Sequence, residues 1–318
     1  MASGGKKVLF AALAGNLAIA ASKFAAAFVA GSSSMLTEGI HSLVDSGNQV
    51  LMLYGRNRAQ QPPDRRHPLG YGREIYFWGF IVALLIFTTG AGMSFYEGWI
   101  HFNDPEMLTL PWVNFLVLAL AFLFEGTSLM VAFREFERTR SSELSWWRSL
   151  RESKDPTVFV VLVEDSAALA GILIATVFIG LTVITGDPRW DGIGSMAIGV
   201  LLAFVAILLA RECKALLIGE PADPAVQRSI GRIANAQKGV CVVNEVLTVQ
   251  LSPQQVVVMV SLDFDDDLSL ATVEETAAEI ERQAKDAHPE VMRLFIRPQT
   301  RLEASQEQTR LASPTILD

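Results

Sequence analysis

Cysteine is nearly absent from this chain, with Cys213 and Cys241 its only two in 318 residues. They stand in no metal-ligand spacing, which argues against a cysteine zinc site and against a disulfide framework. Histidine is scarce too, at four. His41 is followed by Ser42 and no second histidine lies in an apolar run, so the HExxH arrangement of an intramembrane metallopeptidase is missing. Nor is positive charge in excess. Twenty-six Lys and Arg stand against 34 Asp and Glu, for a net charge of −8, and no basic patch suits a nucleic acid.

Apolar residues are abundant, at 51% of the chain. They gather in runs near twenty residues, as in a polytopic helical membrane protein. Six spans fit, at about 8–30, 33–55, 75–100, 111–133, 157–185 and 191–217. Lys6-Lys7 and the apolar run after them mimic a secretory signal. The run outlasts a usual signal core and further spans follow, so it reads as a first transmembrane helix. Fifteen of the seventeen Lys and Arg before Gly219 fall on one side of the six spans. The positive-inside rule then places both termini in the cytoplasm. The plasma (inner) membrane is the first expectation and an organelle membrane the alternative.

From Gly219 onward the texture changes, with 16 acids and 9 bases. A helix to about Gln237, strands over Val242–Leu251 and Val256–Phe264, a helix over Leu270–Ala287 and a strand over Val291–Ile296 are expected. That order, α-β-β-α-β, makes a small ferredoxin-like α+β domain. The expected division is a transport domain over 1–218, a cytoplasmic domain over 219–298, and a disordered tail over 299–318.

The chemistry concentrates in the second span. Glu38, His41 and Asp45 are spaced i, i+3, i+7 and share a helical face, followed by Asn48 and Gln49. His41 and Asp45 are one turn apart, about 6 Å along the axis, close enough to grip one small ion. Glu38 lies about 10 Å from Asp45 and suits a gate or proton carrier better than a shared ligand. The fourth span holds Glu125, either on an ion or proton path or in a structural polar contact. The fifth carries Glu164 and Asp165; adjacent helical residues point about 100° apart, so both face one site only if the helix unwinds. Between the second and third spans, Asp64, Arg65, Arg66, His67 and Arg73 form either a solvated turn or a clasp of ion pairs.

Six spans, His41-x-x-x-Asp45, an acid in the fifth span and a C-terminal α+β domain resemble the cation diffusion facilitator family. Glu38 to Asp45, Pro63 to Pro68, Glu164 to Ala168 and Thr185 to Pro188 are most similar to its zinc transporter 9 branch. The resemblance implies exchange of a divalent metal, usually zinc, for protons across the lipid bilayer by a homodimer paired through its transmembrane and C-terminal domains. Export from the cytoplasm is the implied direction. It also implies a metal site from two residues four apart on each of the second and fifth spans. His41, Asp45 and Asp165 match three positions, but the fourth is Val161, which cannot bind metal. Water, Glu164, Glu38 or Glu125 are the candidates to replace it. Zinc is the expected cargo, with iron, cobalt, nickel or manganese as alternatives, and no organic cofactor is implied. A non-transporting membrane scaffold or metal sensor is the competing reading.

Overall fold

A computed structural model describes residues 4–30, 33–105, 111–140, 145–151 and 153–312. By internal packing the chain divides into two compact units, Met1–Lys214 and Ala215–Asp318.

The first unit is all helical. Helix α1 spans Gly4–Ala30 and α2 spans Ser33–Ala59. Helices α3 (Glu74–Leu85) and α4 (Met93–Asn103) form one rod through a π-helical segment, Ile86–Gly92. Then come α5 (Pro111–Thr139), the short α6 (Trp146–Arg151), α7 (Pro156–Thr185) and α8 (Arg189–Ile218). Among the described residues, Gly5–Ala25, Glu74–Asn103, Trp112–Arg138, Pro156–Thr185 and Arg189–Ile218 are long and apolar enough to cross a membrane. Helix α2 has the length, 27 residues or about 40 Å, but carries the polar run from Glu38 to Gln49. Large apolar side chains such as Phe204, Ile207, Leu123 and Leu173 face outward and more than half exposed, as lipid contact requires.

Local chemistry sets the helix ends. Asp155 accepts a hydrogen bond from the Thr157 amide at 2.9 Å, and Pro156 supplies a first residue with no amide to satisfy. Gly186, at φ +71°, closes the other end of α7 in a left-handed turn that few other residues adopt without strain. Every residue from Pro156 to Leu162 is buried, so α7 enters the bundle surrounded on all sides. Val8, Met52, Val82, Phe159, Val161 and Leu209 share the core there.

Helices α4 and α8 meet backbone to backbone. A Cβ on Gly98 would lie 2.6 Å from the Met196 amide, and one on Gly199 would lie 2.9 Å from the Phe95 amide. In a bilayer, where lipid is as apolar as leucine, such small-residue contact is a main source of helix association.

The second unit has the expected order. Helix α9 (Pro224–Asn235) is capped by Asp223, and α10 (Leu270–Ala287) by Ser269. Strands β1 (Val240–Ser252), β2 (Gln255–Phe264) and β3 (Val291–Pro298) form one mixed sheet in the order β1-β2-β3. The pair β1–β2 is an antiparallel hairpin; β2–β3 is parallel, with α10 as the crossover that parallel pairing demands. Ile230, Val258, Leu262 and Ile280 are fully buried in its core.

The described part of the tail, residues 299–312, departs from the expected disorder. Residues Arg301–Ala312 form helix α11. Its polarity hides how it is held: Ala304 is buried, Glu307 receives Arg297 at 2.8 Å and Gln299 at 2.8 Å, and the Arg301 amide bonds Asp263 at 3.0 Å. Low hydrophobicity signals disorder only where polar anchors are missing.

Substituting Gly199 by Leu should overpack the α4–α8 contact at a cost of about 1–3 kcal/mol or more. The purified protein should melt several degrees lower on thermal scanning in detergent, whereas Gly180→Ala, at a position with open space, should not lower it.

Candidate functional site

Helices α1 and α2 run antiparallel with polar rungs between them. The Asn16 amide donates to Gln49 Oε1 at 3.2 Å, and Lys23 Nζ donates to Ser42 Oγ at 2.9 Å. Asp45 lies between Ser42 and Gln49 on the same face of α2. Beside it, a cavity of about 90 Å³ is lined by Asp45, Glu125, Glu164, Asp165 and Asn16, with Ile86, Gly90, Ala168 and Leu202 as its apolar wall.

Both acids of α7 reach this cavity although the helix does not unwind. This corrects the expectation that unwinding is required. The longer Glu164 turns toward α2, where Asn48 Nδ2 donates to Oε1 at 3.3 Å and Gln49 Nε2 to Oε2 at 3.2 Å. Asp165 turns toward α5, within electrostatic reach of Ser128 and Glu125. A cavity set between α2 and α5 accepts two directions 100° apart at once.

Asp165 is 2% exposed, and its Oδ2 has no hydrogen-bond partner. An unsatisfied buried polar group costs about 1–3 kcal/mol, more when charged. Glu125, 9% exposed, feels Glu164 and Asp45 as neighbouring charges. Several carboxylates thus surround a small space inside the bundle. Among the described residues, no three His, Cys, Asp or Glu side chains converge as a ready metal-binding group; the acids ring the cavity instead. Glu38 and His41 fall on α2, but their side chains lie outside the described residues. Val161 is 1% exposed in the apolar core.

Three contributors escaped the sequence reading. Asn16 lines the cavity from α1, Ser128 stands beside Asp165, and the π-helical segment supplies Ile86 and Gly90. Asn16 and Ser128 carried a usable signal as polar residues at membrane depth. The widened turn carried none beyond Thr88 and Thr89, whose hydroxyls bond backward to Leu84 and Leu85.

Of the two readings of Asp64, Arg65, Arg66, His67 and Arg73, a solvated turn or a clasp of ion pairs, the described residues follow the turn. Asp64 accepts from the Arg66 and His67 amides at 2.8 and 2.6 Å and from the Tyr71 hydroxyl at 2.7 Å; among the described residues its ionic neighbour is the His67 ring at 3.4 Å. Nearby amides reach an aspartate in a turn before long guanidinium chains do. The Tyr71 hydroxyl above all, and then the His67 amide, hold the Asp64 carboxyl below its usual range; Asp64 in turn pushes the Tyr71 phenol up. Arg65, Arg66 and Arg73 make no ion pair among the described residues. Arg58 lies over the Tyr71 ring and pairs with Glu74 at 3.5 Å.

Known proteins are similar to this chain in sequence. The cation efflux transmembrane domain matches residues 9–218. The "Proton-coupled zinc antiporter SLC30A9, mitochondrial" of Homo sapiens is 35% identical over 245 residues, 76% of this chain and 43% of its own. "Metal tolerance protein C4" of Arabidopsis thaliana is 34% identical over 213 residues, 65% of this chain and 46% of its own. "Manganese efflux system protein MneP" of Bacillus subtilis (strain 168) is 21% identical over 231 residues, 69% of this chain and 70% of its own. The chain spans less than half the length of the first two relatives.

Asp165→Asn keeps the shape of the side chain but removes a buried carboxylate whose Oδ2 lacks a hydrogen-bond partner. The metal-free protein should melt at a higher temperature than wild type when scanned at neutral pH in detergent. An unchanged or lower melting temperature would show that the carboxylate is satisfied in solution.

Proposed function

Because this chain belongs to the cation efflux family, the zinc transporter 9-like branch of the cation diffusion facilitators, we propose that it carries a divalent metal, zinc first, across a membrane in exchange for protons. The observation that carries this reading is the partnerless, buried Asp165 oxygen in a cavity lined by three further carboxylates. A cation supplies what that oxygen lacks, and two carboxylates offset its double charge.

In this reading Asp45 and Asp165 are ligands from opposite walls of the cavity, and His41 joins them from α2. Asn48 and Gln49 hold Glu164 by both its oxygens, so Glu164 enters the ligand set without a search for its rotamer and takes the place that Val161 leaves empty. Glu125 serves the proton path, with Glu38 further along α2. Protons and metal compete for the same lone pairs, so proton entry drives metal release and exchange follows. Helix α2 is the sixth span, its polarity offset by the neighbours that bond it. The Lys- and Arg-rich loops and both termini lie on the cytoplasmic side or its topological equivalent, and transport runs outward from there. The domains are 1–218 for transport and 219–298 for a cytoplasmic α+β unit that pairs two copies into a homodimer. The plasma (inner) membrane or an organelle membrane holds the protein; the mammalian relative is named mitochondrial.

A second reading rests on the same lining. Four carboxylates and an Asn make an oxygen-rich cavity, which suits harder cations such as manganese, the metal in the name of the Bacillus relative.

The test is metal flux into proteoliposomes under an imposed proton gradient. Zinc flux should follow the gradient and fall by about 100-fold or more in both Asp45→Ala and Asp165→Ala, the loss of a ligand from a closed set. Manganese flux exceeding zinc flux would select the second reading. No flux of any divalent metal in wild type would leave the membrane scaffold.

A further inference from the structure

Lys23 is not among the residues that line the cavity, yet it is held close by, one helical turn along α2 from Asp45. Its ammonium donates to Ser42 Oγ at 2.9 Å, and Ser42 is 5% exposed. Seven residues back on α1, Asn16 bonds Gln49, seven residues forward on α2. The two rungs keep one antiparallel register about two turns apart, and Asp45 lies between them. The register therefore fixes the ammonium about one helical turn from Asp45. It is also within electrostatic reach of Glu125 across the cavity. A lysine this near the end of a span ordinarily extends toward the interface and water. Lys23, seven residues short of the last residue of α1, is held instead against buried Ser42, the tenth residue of α2.

We propose that Lys23 is a tethered counter-cation of this cavity. Its charge offsets part of the carboxylate charge when no metal is bound and opposes the charge of an incoming metal. It cannot diffuse away, so the opposition persists while metal is held, weakening retention and speeding release. In an exchanger that must let go of its cargo once per cycle, that is a gain. The inference rests on the transport reading above and adds a residue outside its ligand set. Lys23 acts through the field it exerts on Asp45 and Glu125, as a positioning and affinity-setting residue.

The experiment is zinc binding to the full chain in detergent by titration calorimetry, paired with zinc turnover in proteoliposomes. Lys23→Met and Lys23→Gln both remove the charge, and the glutamine still reaches Ser42, which guards against a folding defect of the methionine variant. Both should bind zinc about tenfold more tightly or better and turn over more slowly at saturating zinc. Lys23→Arg, which keeps the charge, should shift affinity less than either. A structural role alone would leave affinity unchanged or weaken it, and that result in both neutral variants overturns the inference. If wild type binds zinc and the neutral variants bind no tighter, this inference alone fails. If wild type binds no divalent metal, the transport reading fails and this one with it.

Discussion

A charge at membrane depth has no water to turn to, so each one must be answered by a group the protein itself supplies or admits. That constraint organises the first unit. Glu164 is answered by the side-chain amides of Asn48 and Gln49, Gln49 by Asn16, and Lys23 by Ser42. Those bonds join α1, α2 and α7, and two of the residues that make them, Asn16 and Glu164, line the cavity. Asp165 breaks the pattern, because Oδ2 is buried and left without a partner. Beside Glu164, which is bonded at both its oxygens, that unpaired atom is the exception on α7, and the transport reading proposed above rests on it.

Much of this was legible in the residues. The helix starts at Asp155-Pro156, Asp223-Pro224 and Ser269 follow from the local chemistry of capping, and the end at Gly186 from its left-handed turn. The β-branched, apolar-rich runs of β1 and β2 and the turn between them are a purely local signal. The cavity acids were legible for a different reason, since polar residues in apolar runs stand out whatever their neighbours. What the sequence hid depends on neighbours. That Glu164 and Asp165 serve one cavity from an unbroken helix follows from where α2 and α5 stand, which no spacing along α7 encodes. Asn16 gains its meaning only through the register of α1 against α2. Asp64 shows the same limit in a loop, where distance to a backbone amide outweighs the attraction of opposite charge.

The low hydropathy of α2 has the same origin. Judged alone, its polar stretch counts against a membrane helix; judged with α1 and α7, the same residues are what bonds α2 to its neighbours. Helix α11 repeats the lesson in the second unit, where a polar segment is held by Glu307 and Asp263 rather than by an apolar stripe.

The contact between α4 and α8 has a mechanical consequence. Where two helices touch through side chains, rotamer changes let them slide; where glycines bring backbone against backbone at Gly98, Gly192 and Gly199, there is nothing to yield. The two rods are interlocked like a key in its ward, free to travel together but not past each other. Any rearrangement that opens the cavity to one side of the membrane must therefore carry α4 and α8 as a single strut and take its slack from the other walls.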